Sequence, residues 1–166
     1  MTGVVRGTFD NATLVRSIAR VRPAERADVP WVLEQLRAFA SSYGTRRSLF
    51  GDTEHAEALV GTLLDTQFVA IAEVDGERVG LIAGTLSPHP FNPDINVATE
   101  LWWWVTPPAR GSRAGLMLLD AFDDWADASE ADLVNFTLEA DSPVRERTLE
   151  KRGYRLMEKQ FVREVS

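Results

Sequence analysis

The chain has 166 residues, 45% of them hydrophobic and 26% charged, which is the balance of an ordinary globular protein with enough apolar side chain to bury one core. It has no cysteine, so disulfides, zinc–thiolate sites and cysteine nucleophiles are excluded. Its formal net charge of −7 keeps it soluble, disfavours the wrapping of nucleic acid and favours cationic partners.

Residues 1–17 show no clear period and are expected to form an N-terminal extension, ahead of one domain over 18–166. The opening MTGVVRGTFDNATLVR lacks the apolar core of a signal peptide. No run reaches the roughly 18 apolar residues of a membrane span. A cytoplasmic protein is therefore expected. Ile18–Arg22 alternates and predicts a first strand. Asp28 is placed to cap a helix with Pro30 in its first turn, where a missing N–H costs little. Val29, Val32, Leu33, Leu36, Phe39 and Ala40 follow at helical spacing. A second helix starts after Asp52 or Thr53, with Ala56, Leu59, Val60, Leu63 and Leu64 on its apolar face.

Phe68–Val74 predicts a half-buried strand. Asp75-Gly76 predicts a type I′ hairpin turn, whose two central residues both need positive φ. Val79–Leu86 pairs back. Ser87–Ile95 carries three prolines and reads as a loop, and Val97–Thr106 as a long apolar strand stopped by Pro107-Pro108. A helix over Ser112–Ala128 turns Leu116, Leu119, Phe122, Trp125 and Ala126 inward. Leu133–Leu138 reads as a buried strand. Ser142-Pro143 opens a short helix that Gly153 closes in a left-handed conformation. Tyr154–Met157 and Phe161–Val165 read as final strands. The order β-α-α-β-β-β-α-β-α-β predicts an α+β fold, a mixed and predominantly antiparallel sheet flanked by helices. The helix over 112–128 makes a right-handed crossover between two parallel strands.

The segment Glu100-Leu-Trp-Trp-Trp-Val-Thr-Pro-Pro-Ala-Arg-Gly-Ser-Arg-Ala-Gly-Leu116 runs from an apolar strand through a proline turn into a helix. A helix start offers unpaired N–H groups and a positive dipole end. Gly111, Ser112, Ala114 and Gly115 carry little side chain, so a pyrophosphate can approach the backbone, and Arg110 and Arg113 add charge. An ordinary strand-to-helix turn, with Gly111 supplying an unusual φ, fits the same residues.

The pattern resembles the GNAT superfamily of N-acetyltransferases, whose core motif is a strand ending in Val-x-Pro, then Arg/Gln-x-x-Gly-x-Gly/Ala and a helix. The matching residues are Val105-Thr106-Pro107 and Arg110-Gly111-Ser112-Arg113-Ala114-Gly115. Arg113 departs from the family's usual glycine. Lys151-Arg152-Gly153-Tyr154 looks like the family's Gly-Phe/Tyr junction at a helix end. The resemblance covers roughly 18–165 and implies acetyl-CoA as co-substrate, with no metal. It also implies how that co-substrate lies. Backbone groups of Trp103, Trp104 and Val105 would pair with the pantetheine amides. The N–H groups of Arg110, Gly111, Ser112, Arg113, Ala114 and Gly115 would hold the pyrophosphate. The thioester would sit where the central strand splays from strand 133–138. The family's frequent pairing of subunits makes a homodimer the expected assembly.

Acetyl transfer to an amine needs a neutral amine and a base to take its proton. Glu100 is the candidate general base, expected to start the central strand on the face of Trp102 and Trp104, where burial would raise its pKa. Glu139 is the weaker alternative. Glu73 and the remaining carboxylates read as solvated. The family's tyrosine acid falls at Leu149 here and its CoA-contacting asparagine near Pro143, which leaves Thr148 or Ser142 to orient a water. Of Trp102-Trp103-Trp104, alternate rings pack on opposite faces, and one face is placed to offer a cation–π surface to an ammonium. Trp31 and Trp125 read as core. His55 and His89 read as surface or loop residues that bind no metal. His89 and Asn92, in the proline loop, are placed to flank an acceptor pocket.

Two readings of function follow. The first is N-acetyl transfer, through a direct ternary complex, to a primary amine, with a small molecule ahead of a protein and nucleic acid disfavoured. The second is a non-catalytic acyl-CoA-binding or interaction module, which the missing tyrosine supports.

Overall fold

A computed structural model describes residues 18–165; the expected N-terminal extension, residues 1–17, lies outside the described residues. The elements are β1 (Ala19–Pro23), α1 (Val29–Ser42), α2 (Thr53–Thr66), β2 (Phe68–Val74), β3 (Glu77–His89), β4 (Asn92–Val105), α3 (Ala114–Ala128), β5 (Leu133–Asn135) and α4 (Glu146–Glu150). The five strands form one sheet in the order β1-β2-β3-β4-β5. Every pairing is antiparallel except β4 with β5, which α3 joins as a crossover. The mixed α+β architecture expected from the sequence is present.

The sheet divides the core. On one face Trp104, Ile71 and Leu81 pack with Val29, Val32, Leu33 and Leu36 of α1 and Val60 of α2. On the other, Ala70, Ala72 and Ile82 pack with Ala114, Leu118 and Phe122 of α3. The inward residues of α3 are thus Leu118, Leu119, Phe122 and Ala126, and Leu116 is exposed. Leu59 of α2 is exposed as well. Asp75 (φ 52°) and Gly76 (φ 87°) both take positive φ at the β2–β3 turn, as a type I′ hairpin requires.

Three expectations about strands are corrected. Ser87–Ile95 is not a loop, because β3 and β4 continue as a two-stranded ribbon whose pairing runs out to His89 and Asn92. β2 stops opposite Gly84 and β5 starts opposite Val97. Beyond them the ribbon has free outer edges, where proline is tolerated. The Gln67 side chain takes up the Leu86 N–H at 2.8 Å where β2 ends. Second, the strand expected over Leu133–Leu138 pairs only from Leu133 to Asn135. Third, Tyr154–Met157 and Phe161–Val165 form no strands among the described residues. β5 ends too early to extend the sheet toward them.

Asp28 stands at the start of α1 but makes no side-chain cap there. It is buried and accepts from the Arg22 guanidinium through both oxygens, at 2.7 and 2.9 Å. Arg78 also reaches it, at 3.2 Å. Glu73, expected to be solvated, is buried between Arg20 and Arg22. These groups tie β1, β2, β3 and the entry to α1 together.

Candidate active site

The site is a consequence of one irregularity. Trp102 sits opposite Ala83, but Glu100 sits opposite Gly84, so Leu101 is an extra residue in β4. A bulge of this kind resets the alternation of side chains. Trp102 and Trp104 lie on the α1–α2 face, and Trp103 packs on the α3 face, as alternate positions should. Glu100 shares the face of Gly84, since directly opposed residues point the same way. A Cβ on Gly84 would meet the Phe122 ring of α3 at 2.5 Å. Glu100 is therefore interior to β4, not at its start, and on the face opposite Trp102 and Trp104.

Beside Glu100 the parallel pairing fails. β4 and β5 are bonded through Thr99 and Asn135, then separate. The Glu100 carboxylate enters the gap and accepts from the Thr137 N–H at 3.3 Å. Glu100 is 7% exposed. Burial pushes its carboxyl up to about 7, against the Thr137 N–H and with the help of neighbouring Glu139.

The gap opens into a cleft of about 800 Å³, lined from α1 by Phe39, Ser42 and Tyr43, from β4 by Glu100 and Leu101 to Val105 without Trp102, and from the far side by Thr137 to Glu139. The α3 entry adds Arg110, Gly111, Ser112 and Gly115, and the α4 region Arg145, Arg147, Thr148 and Lys151. Tyr43 packs edge-on to Phe39 at 5.3 Å, and Phe39 edge-on to Trp104 at 5.8 Å. The buried Trp104 indole donates to Gln35 at 3.2 Å. Burial, with Glu139 and Glu100 nearby, raises the Tyr43 phenol.

The loop expected to hold a pyrophosphate leads from a tight turn into α3. Pro107–Ala109 forms a single tight turn, Gly111 takes φ 87°, and α3 begins at Ala114 rather than Ser112, with Arg113 before it. The N–H groups of Arg110, Ser112 and Ala114 are taken by Pro107, Ala109 and the Ser112 hydroxyl. Those of Gly111, Arg113, Gly115 and Leu116 have no acceptor among the described residues. Trp103 donates its indole N–H to the Gly115 carbonyl at 3.0 Å, which fixes the start of α3 on the strand. Arg110 turns inward instead of toward the loop. Its guanidinium lies 4.6 Å from the Trp104 ring centroid, and its Nε donates to the Val105 carbonyl at 3.2 Å.

Leu149, at the place of the family's tyrosine, is buried, and the Tyr154 N–H bonds to its carbonyl at 3.2 Å. Gly153 takes φ 90°. Tyr154 is half-buried and donates its hydroxyl to Asp123 of α3 at 2.6 Å, and Arg152 bridges to Asp120 and Asp123, so α4 docks on α3. Ser142, Pro143 and Thr148 line the cleft; His55, His89 and Asn92 do not. His89 lies at the tip of the β3–β4 ribbon, packed against Phe91. Trp125 stacks on Phe68, and Trp31 carries Arg78 over its ring. Among the described residues no three His, Asp or Glu side chains gather as metal ligands. The sequence reading missed Phe39 and Tyr43: helical spacing marked Phe39 as core, and Tyr43 lies just past the last turn of α1.

The sheet parts beside a buried carboxylate, and the small-residue start of α3 lines the same cleft. The family model described as "Acetyltransferase (GNAT) family" matches residues 32–154, and the chain belongs to that family of acetyl-CoA-using enzymes. No curated protein matches the sequence. Solved structures share the fold at low identity. A transcriptional regulator from Bacillus halodurans C-125 has a TM-score of 0.71 at 17% identity, over 89% of this chain and 100% of that one. A "predicted acetyltransferase with acetyl-CoA" from Clostridium acetobutylicum has 0.69 at 13%, over 89% and 96%. The ribosomal-protein-alanine N-acetyltransferase of Brucella melitensis biovar Abortus 2308 has 0.68 at 18%, over 90% and 99%.

Proposed function

We propose that the cleft binds acetyl-CoA and passes its acetyl group directly to a primary amine, with Glu100 as general base. The observation that carries this is a carboxylate raised to about 7 by burial, in the gap where β4 leaves β5. A base of that pKa is half ionised near neutrality and can take the proton that the amine nitrogen gives up as it attacks. The amine nitrogen then attacks the thioester carbonyl, the C–S bond breaks and the thiolate leaves. The acceptor enters as RNH3⁺; one proton passes through Glu100 to solvent, one goes to the thiolate to give CoA–SH, and one stays on the amide.

The cleft lining is divided in charge. The free N–H groups of Gly111, Arg113, Gly115 and Leu116, with Arg145, Arg147 and Lys151, suit the phosphates. The carboxylates of Glu100 and Glu139 suit the amine. The β4 backbone over Trp103–Val105, with no strand on its β5 side, suits the pantetheine amides. With Leu149 buried, the proton for the thiolate comes from water beside Ser142 or Thr148. A small-molecule acceptor, a cytoplasmic setting and a homodimer complete this reading.

A calorimetric titration with acetyl-CoA, CoA and ATP tests it. Micromolar binding of the two CoA species but not ATP is expected. A Cβ at Gly115 would meet only Trp103 and Val105, at ordinary contact distances of 3.5 and 3.6 Å, so Gly115→Glu should fold and lose affinity at least about 100-fold by placing a carboxylate among the phosphate donors. Unchanged affinity in that variant would remove the phosphate loop from the account. Binding without thiol release over an amine panel would instead favour a non-catalytic acyl-CoA module.

A further inference from the structure

Three carboxylates line the cleft, Glu100, Glu139 and Asp141, and amine acetylation uses one. The second, Glu139, is the only buried side-chain atom left without a hydrogen-bond partner among the described residues, through its Oε1. Such an oxygen bears the full loss of its hydration, so its natural partner is a donor that arrives with a ligand. Burial pushes the Glu139 carboxyl up, and Asp141 adds to this, while the charge of Arg110 opposes both.

Arg110 shows what chemistry this part of the cleft accepts. Its guanidinium lies over the Trp104 ring at 4.6 Å, a cation–π geometry, close enough to Glu139 to favour its ionised form. Phe39 and Tyr43 continue the aromatic wall. The end of α1, at Ser42 with Tyr43 just past it, brings the negative end of a helix dipole. Arg110 is held there by its Nε bond to the Val105 carbonyl, which is the backbone group assigned above to the pantetheine. When the co-substrate takes that carbonyl, Arg110 is released, and the Trp104 face loses the cation over it.

We infer that Glu139, the face of Trp104 and the C-terminal end of α1 form a subsite for a second cationic group of the acceptor, so that this enzyme takes a diamine or polyamine in preference to a monoamine. The inference rests on the acetyl-transfer reading. Glu100 receives the amine that reacts, and Glu139 holds the amine that does not. Arg110 covers the Trp104 side of that second place until acetyl-CoA draws it away.

The test is the ratio of kcat/KM for 1,4-diaminobutane and for spermidine to that for n-butylamine, read by thiol release from acetyl-CoA. In the wild type the ratio is expected to exceed roughly tenfold, as one charge-assisted contact provides. In Glu139→Gln, which keeps the side-chain volume, it should fall toward one through KM of the diamines. A thermal melt checks that the variant folds, and the wild-type ratio is informative without it. A wild-type ratio near one, or a ratio unchanged in Glu139→Gln, overturns the subsite. If monoamines are acetylated as well as diamines, acetyl transfer stands and only the subsite falls. If no amine consumes acetyl-CoA, both fall.

Discussion

Glu100 is held where its charge is disfavoured, and the consequence can be measured apart from catalysis. Its pKa rises from an ordinary 4.5 to about 7 on folding. A raised carboxyl stabilises the fold fully below the unfolded value and loses that contribution as pH climbs through the folded one. At pH 8 the buried charge thus opposes folding by up to about 3 kcal/mol. Glu100→Gln is expected to raise the Tm at pH 8 and to change it little at pH 4. A variant less stable than wild type at pH 8 would mean that the carboxylate is a structural anchor through Thr137, not a stored base. Much of this site was legible residue by residue: Val105-Thr106-Pro107 and the glycines at 111 and 115 announce the loop, and Glu100 has the right chemistry. Its face was not legible, because a one-residue bulge at Leu101 leaves no mark in an otherwise continuous apolar run. Nor does any periodicity show that the long Arg110 side chain folds back onto Trp104.

Among the elements, the junction of β1, β2, β3 and α1 is fastened by charge. Arg22 and Arg78 reach a buried Asp28, and Arg22 also reaches Glu73. The Arg22 hydrogen bonds hold the Asp28 carboxyl down at about 2 despite its burial, and Asp28 in turn raises Arg22. Asp28→Ala leaves Arg22 facing a gap and is expected to cost about 3 kcal/mol, a fall in Tm of roughly 10 °C for a chain of this size. For a depressed carboxyl the stability is present above the ordinary value of 3.8 and is lost as pH falls through about 2. The wild type should therefore lose its advantage over Asp28→Ala between about pH 4 and pH 2, by urea titration. A constant difference across that range would place the effect in packing rather than in the ion pairs. The sequence showed Asp28 only as a helix start, since capping propensity is local and the arginines that claim it lie on other strands. The helices and the Asp75-Gly76 turn were readable from periodicity and turn chemistry. The proline-rich ribbon was not, because the rule against proline in strands applies to strands with neighbours on both sides, and the lengths of β2 and β5 are tertiary facts.

At the scale of the molecule, the proposed function depends on the sheet being incomplete. β5 follows β4 for three residues and then leaves it. Two helices of opposite sense meet the resulting gap, the end of α1 with its partial negative charge and the start of α3 with its partial positive one. In the proposed reaction the net charge of −7 would draw a cationic acceptor toward the protein, and the basic residues of α4 and the loop would offset it locally for the phosphates. No helix among the described residues is long and apolar enough to cross a membrane. The expected final strands would have covered β5, and Phe161, Val162 and Val165 are exposed without them.

The measurement that tests the central claim most directly is the pH dependence of kcat/KM for the amine, read by thiol release at saturating acetyl-CoA, for the wild type and Glu100→Gln. If Glu100 takes the proton, wild-type kcat/KM rises with pH through a midpoint near 7, the value that burial imposes, and levels off above it. Glu100→Gln should lose roughly 100-fold or more in kcat/KM and lack that midpoint. A variant that keeps the wild-type profile, midpoint included, would contradict the account and move the base elsewhere in the cleft.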